Sequence, residues 1–242
     1  MARGNFIAKI GYTMHLCRVE DKAFALYEKA YNKGCTLPDP MAAYSLMLMR
    51  RYEFDKALEV LREARKFKLN EQQYGIIYQN LGLAYWKMGQ IDHAVEIYKK
   101  LFEKLQTTNM YSTLGFLLIA KADQSGDYEE ALEFNRKAYD YDSGDASIAD
   151  NLGQVLYRIG QMKEAEEMFE KALSIKPTQF DTLVYLAKIR IAQERLDEAK
   201  ELLDKALSKP YAVFNTVPRS VAIDLAREMG MDMSNYSDIK EN

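Results

Sequence analysis

Along most of this chain apolar residues return every three or four positions, the period of a helix with one buried side. In "NLGQVLYRIG", which begins at Asn151, the residues Leu152, Val155, Leu156 and Ile159 fall on one face. Gly160 interrupts the run, and a second amphipathic stretch, "QMKEAEEMFEKAL", follows at once. Helix, glycine turn, helix predicts a hairpin of two antiparallel helices. Gly89 and Gly126 stand at equivalent breaks, where a residue that tolerates positive φ lets the chain leave a helix. After Gly126, Asp127 is placed to cap the next helix while Glu130 reaches back, the spacing of a capping box.

The hairpin recurs. "NLGLAYWKMGQIDHAVEIY" from Asn80 and "NLGQVLYRIGQMKEAEEMF" from Asn151 repeat one pattern 71 residues apart, about two periods of 34 to 37, and a further version runs from Tyr111 to Tyr139 between them. A small residue followed twelve later by alanine extends the series to Gly11/Ala23, Ser45/Ala57, Gly82/Ala94, Gly153/Ala165 and Ala187/Ala199. The middle copy, Gly115/Ala131, carries four extra residues. Six copies result, starting near residues 4, 38, 75, 108, 146 and 180 and ending by 212. Alanines recur where helices must approach closely, at 23 and 30, 57 and 64, 165 and 172, and 199 and 206. Tyr27, Leu61, Phe169 and Leu203 supply the bulk between them. Pro177 and Pro210 close the last two copies, because proline cannot continue the preceding helix. One hairpin cannot bury its own apolar face, whereas stacked hairpins share a continuous core.

Two departures interrupt the period. Three extra residues lie within "KFKLNEQQYG", a polar joint between the second and third copies. Four more, around "ADQS" at 122–125, lengthen the fourth copy's first helix or its turn. About four residues make one helical turn, so the faces keep their phase. A plain loop insertion and a projection shaped for a partner both fit. Residues 213–230 read as a polar-backed capping helix, preceded by Asn215 or Thr216, striped by Val221, Leu225 and Met229, and ended by Gly230. Residues 231–242 read as a frayed tail.

The pattern resembles the tetratricopeptide repeat (TPR) over roughly residues 4–211. That signature asks for Gly or Ala at position 8, an aromatic or leucine at 11, Ala at 20, an aromatic at 24, Ala at 27 and Pro at 32. The copy starting at 146 answers with Gly153, Leu156, Ala165, Phe169, Ala172 and Pro177. The copy starting at 75 answers with Gly82, Tyr85, Ala94 and Tyr98, then departs at Leu101 and Gln106. The resemblance implies an all-α, right-handed superhelical solenoid whose first helices line a concave groove at positions 2, 5, 6, 9, 12 and 13.

Those positions hold Lys9, Tyr12 and His15; Leu46, Met49 and Arg50; Gln79, Asn80, Leu83, Trp86 and Lys87. Further on they hold Thr113, Phe116 and Ile119; Asp150, Asn151, Gln154, Tyr157 and Arg158; and Tyr185 and Lys188. Trp86 and Tyr157 share position 12, and Arg50, Lys87 and Arg158 share position 13. Aromatic and arginine side chains give much contact energy for little lost freedom, so these residues are candidates for a partner-binding row. In the rival reading they pack sideways or stand solvated. Asn80 and Asn151 share position 6, where the resemblance implies an amide reaching the backbone of an extended ligand. The alternative is a hydrogen bond to the neighbouring repeat. The family's carboxylate clamp for acidic chaperone tails is absent: Ala42 and Leu46 stand upstream of Asn80, and Thr182 and Leu186 downstream of Asn151, where clamp residues belong.

Composition narrows the function. The formal net charge is −3, from 33 basic and 36 acidic residues, without the basic excess a nucleic-acid binder uses to displace counterions. Cys17 and Cys35 form no CxxC pair and read as reduced thiols. Lys9 interrupts the N-terminal apolar stretch early, unlike a signal peptide, and Leu105 to Ala120 is too polar for a bilayer, so a soluble, cytoplasmic chain is expected. His15 and His93 have no nucleophile or metal partner fixed by spacing, and no glycine-rich phosphate loop occurs. The expectation is a non-catalytic adaptor without cofactor or metal. It binds a protein or extended peptide of acidic and apolar character through Tyr12, Arg50, Asn80, Trp86, Lys87, Phe116, Asn151, Tyr157, Arg158 and Tyr185. Self-association through the solenoid's ends or convex face is the alternative.

Overall fold

The computed structural model describes residues 3–236. Among them lie thirteen α-helices, one 3-10 turn and no strand. The chain divides into two compact units, Met1–Leu105 and Gln106–Asn242. The first contains α1 (Arg3–Leu16), α2 (Glu20–Tyr31), α3 (Pro38–Arg50), α4 (Phe54–Ala64), α5 (Glu71–Lys87) and α6 (Ile91–Phe102). The second contains α7 (Thr108–Ser125), α8 (Glu129–Tyr141), α9 (Ala146–Arg158), α10 (Met162–Ile175), α11 (Phe180–Ala192), α12 (Leu196–Leu207) and α13 (Arg219–Glu228). Six hairpins and a closing helix fit the expected half-dozen repeats and cap.

Every hairpin is closed the same way. Arg18, Tyr52, Gly89, Gly126, Gly160 and Glu194, each the fifteenth residue of its copy once the insertion is discounted, take φ between 59° and 82°. Glycine does this freely, whereas an L side chain there meets the following carbonyl and pays about 1–2 kcal/mol. Three of the six turns therefore carry strain that the glycine pattern in the sequence did not reveal.

Inside each hairpin, bulk is traded across the two helices. A Cβ on Gly82 would come within 2.5 Å of the Tyr98 ring, and one on Gly153 within 2.7 Å of Phe169. Where the first helix carries the larger Ser45 or Ala187, the second offers only Leu61 or Leu203, and all four are buried. The fourth copy breaks the rule. Asn135 replaces the ring, buried beside Gly115, and its amide donates to Ala131 O at 2.8 Å and Gly115 O at 3.3 Å.

Caps fix the boundaries. Asn70 and Gln73 form a reciprocal capping box at α5, Thr107 accepts from Met110 N, and Asp145 accepts from Ser147 N and Ile148 N. Asp127 accepts from Glu129 N at 3.1 Å, although α8 itself begins at Glu129. The four extra residues belong to the helix and not to the turn: α7 runs unbroken through 122–125 and ends at left-handed Gly126.

Within each unit successive first helices touch one another, α1–α3–α5 and α7–α9–α11, while the second helices lie against first helices. Long side chains bridge the wider spacing, as with Lys56 Nζ to Glu28 at 2.6 Å and the Tyr31 hydroxyl to Glu59 at 2.7 Å. The first helices are thus the inner layer of each stack.

The C-terminal expectation needs adjustment. Pro218, not Asn215 or Thr216, precedes α13, and its buried stripe is Ala222, Ile223 and Ala226, with Val221, Leu225 and Met229 only half-covered. Arg219 folds back onto the end of α12, donating to Leu207 O at 2.7 Å and Lys209 O at 3.0 Å. Met233–Tyr236 form a 3-10 turn whose Tyr236 hydroxyl donates to Asp204, so the supposedly frayed tail is anchored that far. The rest of it, 237–242, lies outside the described residues.

Candidate functional site

In the first unit the inner layer is partly open. Tyr12 is 39 % exposed, Arg50 is exposed, and Leu46, Leu83, Trp86 and Lys87 are half-buried. The Lys87 ammonium sits 4.0 Å from the centre of the Trp86 ring. A cation over an indole face gains about 0.5–1 kcal/mol at an exposed site, enough to hold both side chains in place without covering them. Asn80 is different. It is buried and donates to Ala42 O at 3.1 Å and Ser45 Oγ at 3.3 Å in the preceding repeat. Its amide ties two repeats together, so the expected role in gripping a ligand backbone gives way to the alternative.

In the second unit the corresponding positions are largely filled. Asn151 is buried and donates to Ser112 O at 2.7 Å, again a tie to the preceding repeat. Arg158 is also engaged. Its Nε and Nη2 meet Asp123 at 2.6 and 3.0 Å, and its Nη1 donates to Gln154 O at 3.1 Å. Asp123 sits on the extra turn of α7 and also accepts from the Tyr128 hydroxyl at 2.7 Å. The insertion thus supplies the anion that holds Arg158, which removes that arginine from the expected open basic row.

Tyr185 is buried, stacked on Phe169 at 5.4 Å and edge-on to Tyr157 at 5.3 Å. Arg158 and Lys188 lie over it at 5.5 and 5.3 Å. Burial pushes its hydroxyl up to about 12. Tyr185 is therefore a core residue, and Tyr157 and Phe116 are half-buried. The position-12 rings at 86 and 157 are thus half-buried and not sealed: Trp86 lies under half-buried Lys87, and Tyr157 lies against buried Tyr185.

Beneath these residues lies a polar cluster. Asp150 is buried and accepts from Thr182 Oγ1 at 2.7 Å and Gln154 Nε2 at 2.8 Å. Burial first, then the charge of Asp181, push its carboxyl up to about 7. Asp181 accepts from Thr216 N at 2.8 Å, Thr216 Oγ1 at 2.9 Å and Val217 N at 3.1 Å. Gln154 Nε2 also reaches Thr216 Oγ1 at 3.3 Å. The loop before α13 is therefore seated on inner-layer residues of the fifth and sixth copies.

Sequence reasoning also missed Arg190. It occupies position 11, where the repeat favours an aromatic or leucine, and is buried among carboxylates of α10 and α12. It meets Glu166, Glu170 at 2.6 Å and Glu198 at 3.3 Å. The departure from the repeat pattern was the available signal. Among the described residues no cluster of His, Cys, Asp and Glu could hold a metal ion, and no helix is long and apolar enough to cross a membrane.

Stacked helical hairpins with an inner layer of first helices define an all-α repeat protein. Sequence profiles described as tetratricopeptide repeat match residues 76–103, 109–178 and 160–210, and the chain belongs to that family. A TPR repeat-containing protein of Methanocaldococcus jannaschii is 27 % identical over 161 residues, covering 66 % of this chain and 27 % of the relative. The BBSome complex member BBS4 of Bos taurus is 27 % identical over 142 residues, covering 59 % of this chain and 26 % of the relative. The chain thus spans about a quarter of the length of these curated relatives. Among solved structures, a TPR protein of Thermus thermophilus superposes with TM-score 0.64 at 22 % identity, over 80 % of this chain and 97 % of that one. A chain of the APC/C hetero-tetramer Cut9–Hcn1 superposes with TM-score 0.65 at 15 % identity, over 94 % of this chain and 46 % of that one. At these identities the likeness shows the TPR solenoid fold. Members of the family generally serve as non-catalytic scaffolds for protein–protein interaction.

Proposed function

We propose that the protein is a non-catalytic adaptor that binds a segment of another protein on the inner layer of its first unit. The observation that carries this reading is the group formed by Tyr12, Arg50, Trp86 and Lys87. Two aromatics and two cations stand on first helices at inner positions, where Tyr12 and Arg50 are exposed and Trp86 and Lys87 are half-buried. Side chains of this kind dominate binding energy when a partner desolvates them. The cations favour a segment with acidic side chains, and Leu46, Leu83 and Trp86 favour apolar ones. Asn80 takes no direct part, because it holds the third repeat to the second.

The test compares the wild type with an Arg50→Ala/Trp86→Ala double variant. Both are used to capture partners from the native host, and helicity is monitored by circular dichroism. The expected result is unchanged helicity with at least a hundredfold loss of affinity for the captured partner, about 3 kcal/mol, typical of one or two interface anchors. Undiminished binding by the folded double variant would place the interaction elsewhere, on the ends or outer faces, where self-association would also act.

A further inference from the structure

The loop that joins α12 to α13 does more than connect them. Its Tyr211 hydroxyl donates to Val217 O at 2.8 Å, and the Tyr211 ring meets Phe180 edge-on at 5.1 Å. The turn so formed presents two successive backbone N–H groups and a hydroxyl, from Thr216 and Val217, to the Asp181 carboxylate. Gln154, one repeat further back, contacts the same hydroxyl. Position 2 of one repeat and position 9 of the previous one both belong to the inner layer that the resemblance assigns to ligands. An ionised carboxylate held by consecutive N–H groups is a charge-assisted arrangement, about twice as strong as neutral hydrogen bonds, and any peptide can supply the N–H groups.

We propose that residues 211–217 are a displaceable internal ligand: they fill a polar cradle in which Asp181 accepts and the Gln154 amide donates to the hydroxyl, and a partner segment docks there by offering the same two backbone N–H groups and a Ser or Thr hydroxyl in their place. The seat is polar and only partly sealed. Thr216 is half-buried, and the apolar anchors Val213 and Val217 flank it. Asp150 lies beneath, bonded through Gln154 and Thr182, and sets the orientation of the Gln154 amide. A site closed by its own chain binds an outside ligand more weakly by the fraction of time it is open. A loop seated 90–99 % of the time would reduce affinity about 10–100-fold.

This inference extends the segment-binding reading to the second unit, and its test reads that unit alone. A fluorescent synthetic peptide with the sequence of residues 208–219 is titrated into the full chain and into a Thr216→Pro variant, which lacks both the N–H and the hydroxyl at that position. The variant is expected to bind the peptide at least tenfold more tightly than the wild type. Adding Asp181→Asn, or using a peptide with alanine in place of Thr216, should reverse most of the gain. Equal affinities, or a variant that dimerises without binding peptide, would overturn the proposal. Should Thr216→Pro fail to fold, hydrogen exchange of the wild type decides. Exchange of the Thr216 and Val217 amides at least a hundredfold faster than those of α11 supports a loop that lifts on its own, and equal protection refutes it. Binding lost in the Arg50/Trp86 variant leaves this outcome untouched, so either reading can fail alone.

Discussion

The inner layers of the two units are built from the same repeat positions and have been put to different uses. At position 13 the first unit carries Arg50, exposed, and Lys87, resting on an indole; the second carries Arg158, locked to Asp123 and Gln154. At position 6 both units use asparagine as a tie to the preceding repeat. At position 5 the first unit has half-buried Gln79, and the second has the buried acid Asp150. A shared backbone template therefore fixes where a side chain stands but not whether it is available. Availability depends on what the neighbouring repeat supplies, here an extra helical turn bearing Asp123 and a loop bearing Thr216.

The largest test of this difference is a pH titration. Asp150 is displaced from its ordinary 3.8 to about 7 by burial and the nearby Asp181 charge, so the folded second unit keeps a proton that the unfolded chain has lost. The stability that proton contributes is complete below about pH 4 and drains away as pH rises to about 7, with a ceiling of about 4 kcal/mol. Comparing wild type with Asp150→Asn in urea at pH 4.5 and 7.5 isolates it. The wild type should lose ground against the variant at the higher pH, and a constant difference would remove the buried acid from the comparison.

Core truncation ranks next. Phe169→Ala, which empties the space above Gly153 and beneath Tyr185, should cost the second unit about 3–4 kcal/mol in chemical denaturation. Arg190→Ala should cost about 2 kcal/mol, less than for a sealed pair because Glu170 and Glu198 are half exposed and can turn to water. Arg158→Ala should cost about 1 kcal/mol of stability while Arg50→Ala costs under about 0.5 kcal/mol. Equal costs would mean that the two arginines are not employed differently after all. Smallest, Glu194→Gly should raise stability by about 0.5 kcal/mol through relief of its left-handed φ of 59°, an increase in Tm that calorimetry can resolve.

How far the sequence reached depends on which signal repeats. Helices, turns and stacking order recur six times and the alternation of small and large residues five times, so each copy corrects errors in the others. Trp86, Lys87 and Arg50 were legible as inner-layer candidates because their positions follow from that phase. For Arg158, Tyr185, Asn80 and Asn151 the sequence left binding and packing readings open for one shared physical reason. Their partners, Asp123, Phe169, Ala42 and Ser112, sit on other elements, and phase alone does not say which side chains meet. The Thr216 seat was invisible because it joins a loop outside the repeats to residues within them. Asn135 could have been noticed as the single amide in a column otherwise filled by rings and leucines.

The reciprocity of bulk within five of the six hairpins has a practical consequence for anyone splicing such arrays. Gly82 belongs with Tyr98 and Ser45 with Leu61; mixing them leaves either a hole or a collision, each costing about 1–3 kcal/mol. Modules cut inside the hairpin will be incompatible, whereas modules cut between hairpins travel with their own matched pair. The seam for recombination is thus written into the choice of one residue on each arm.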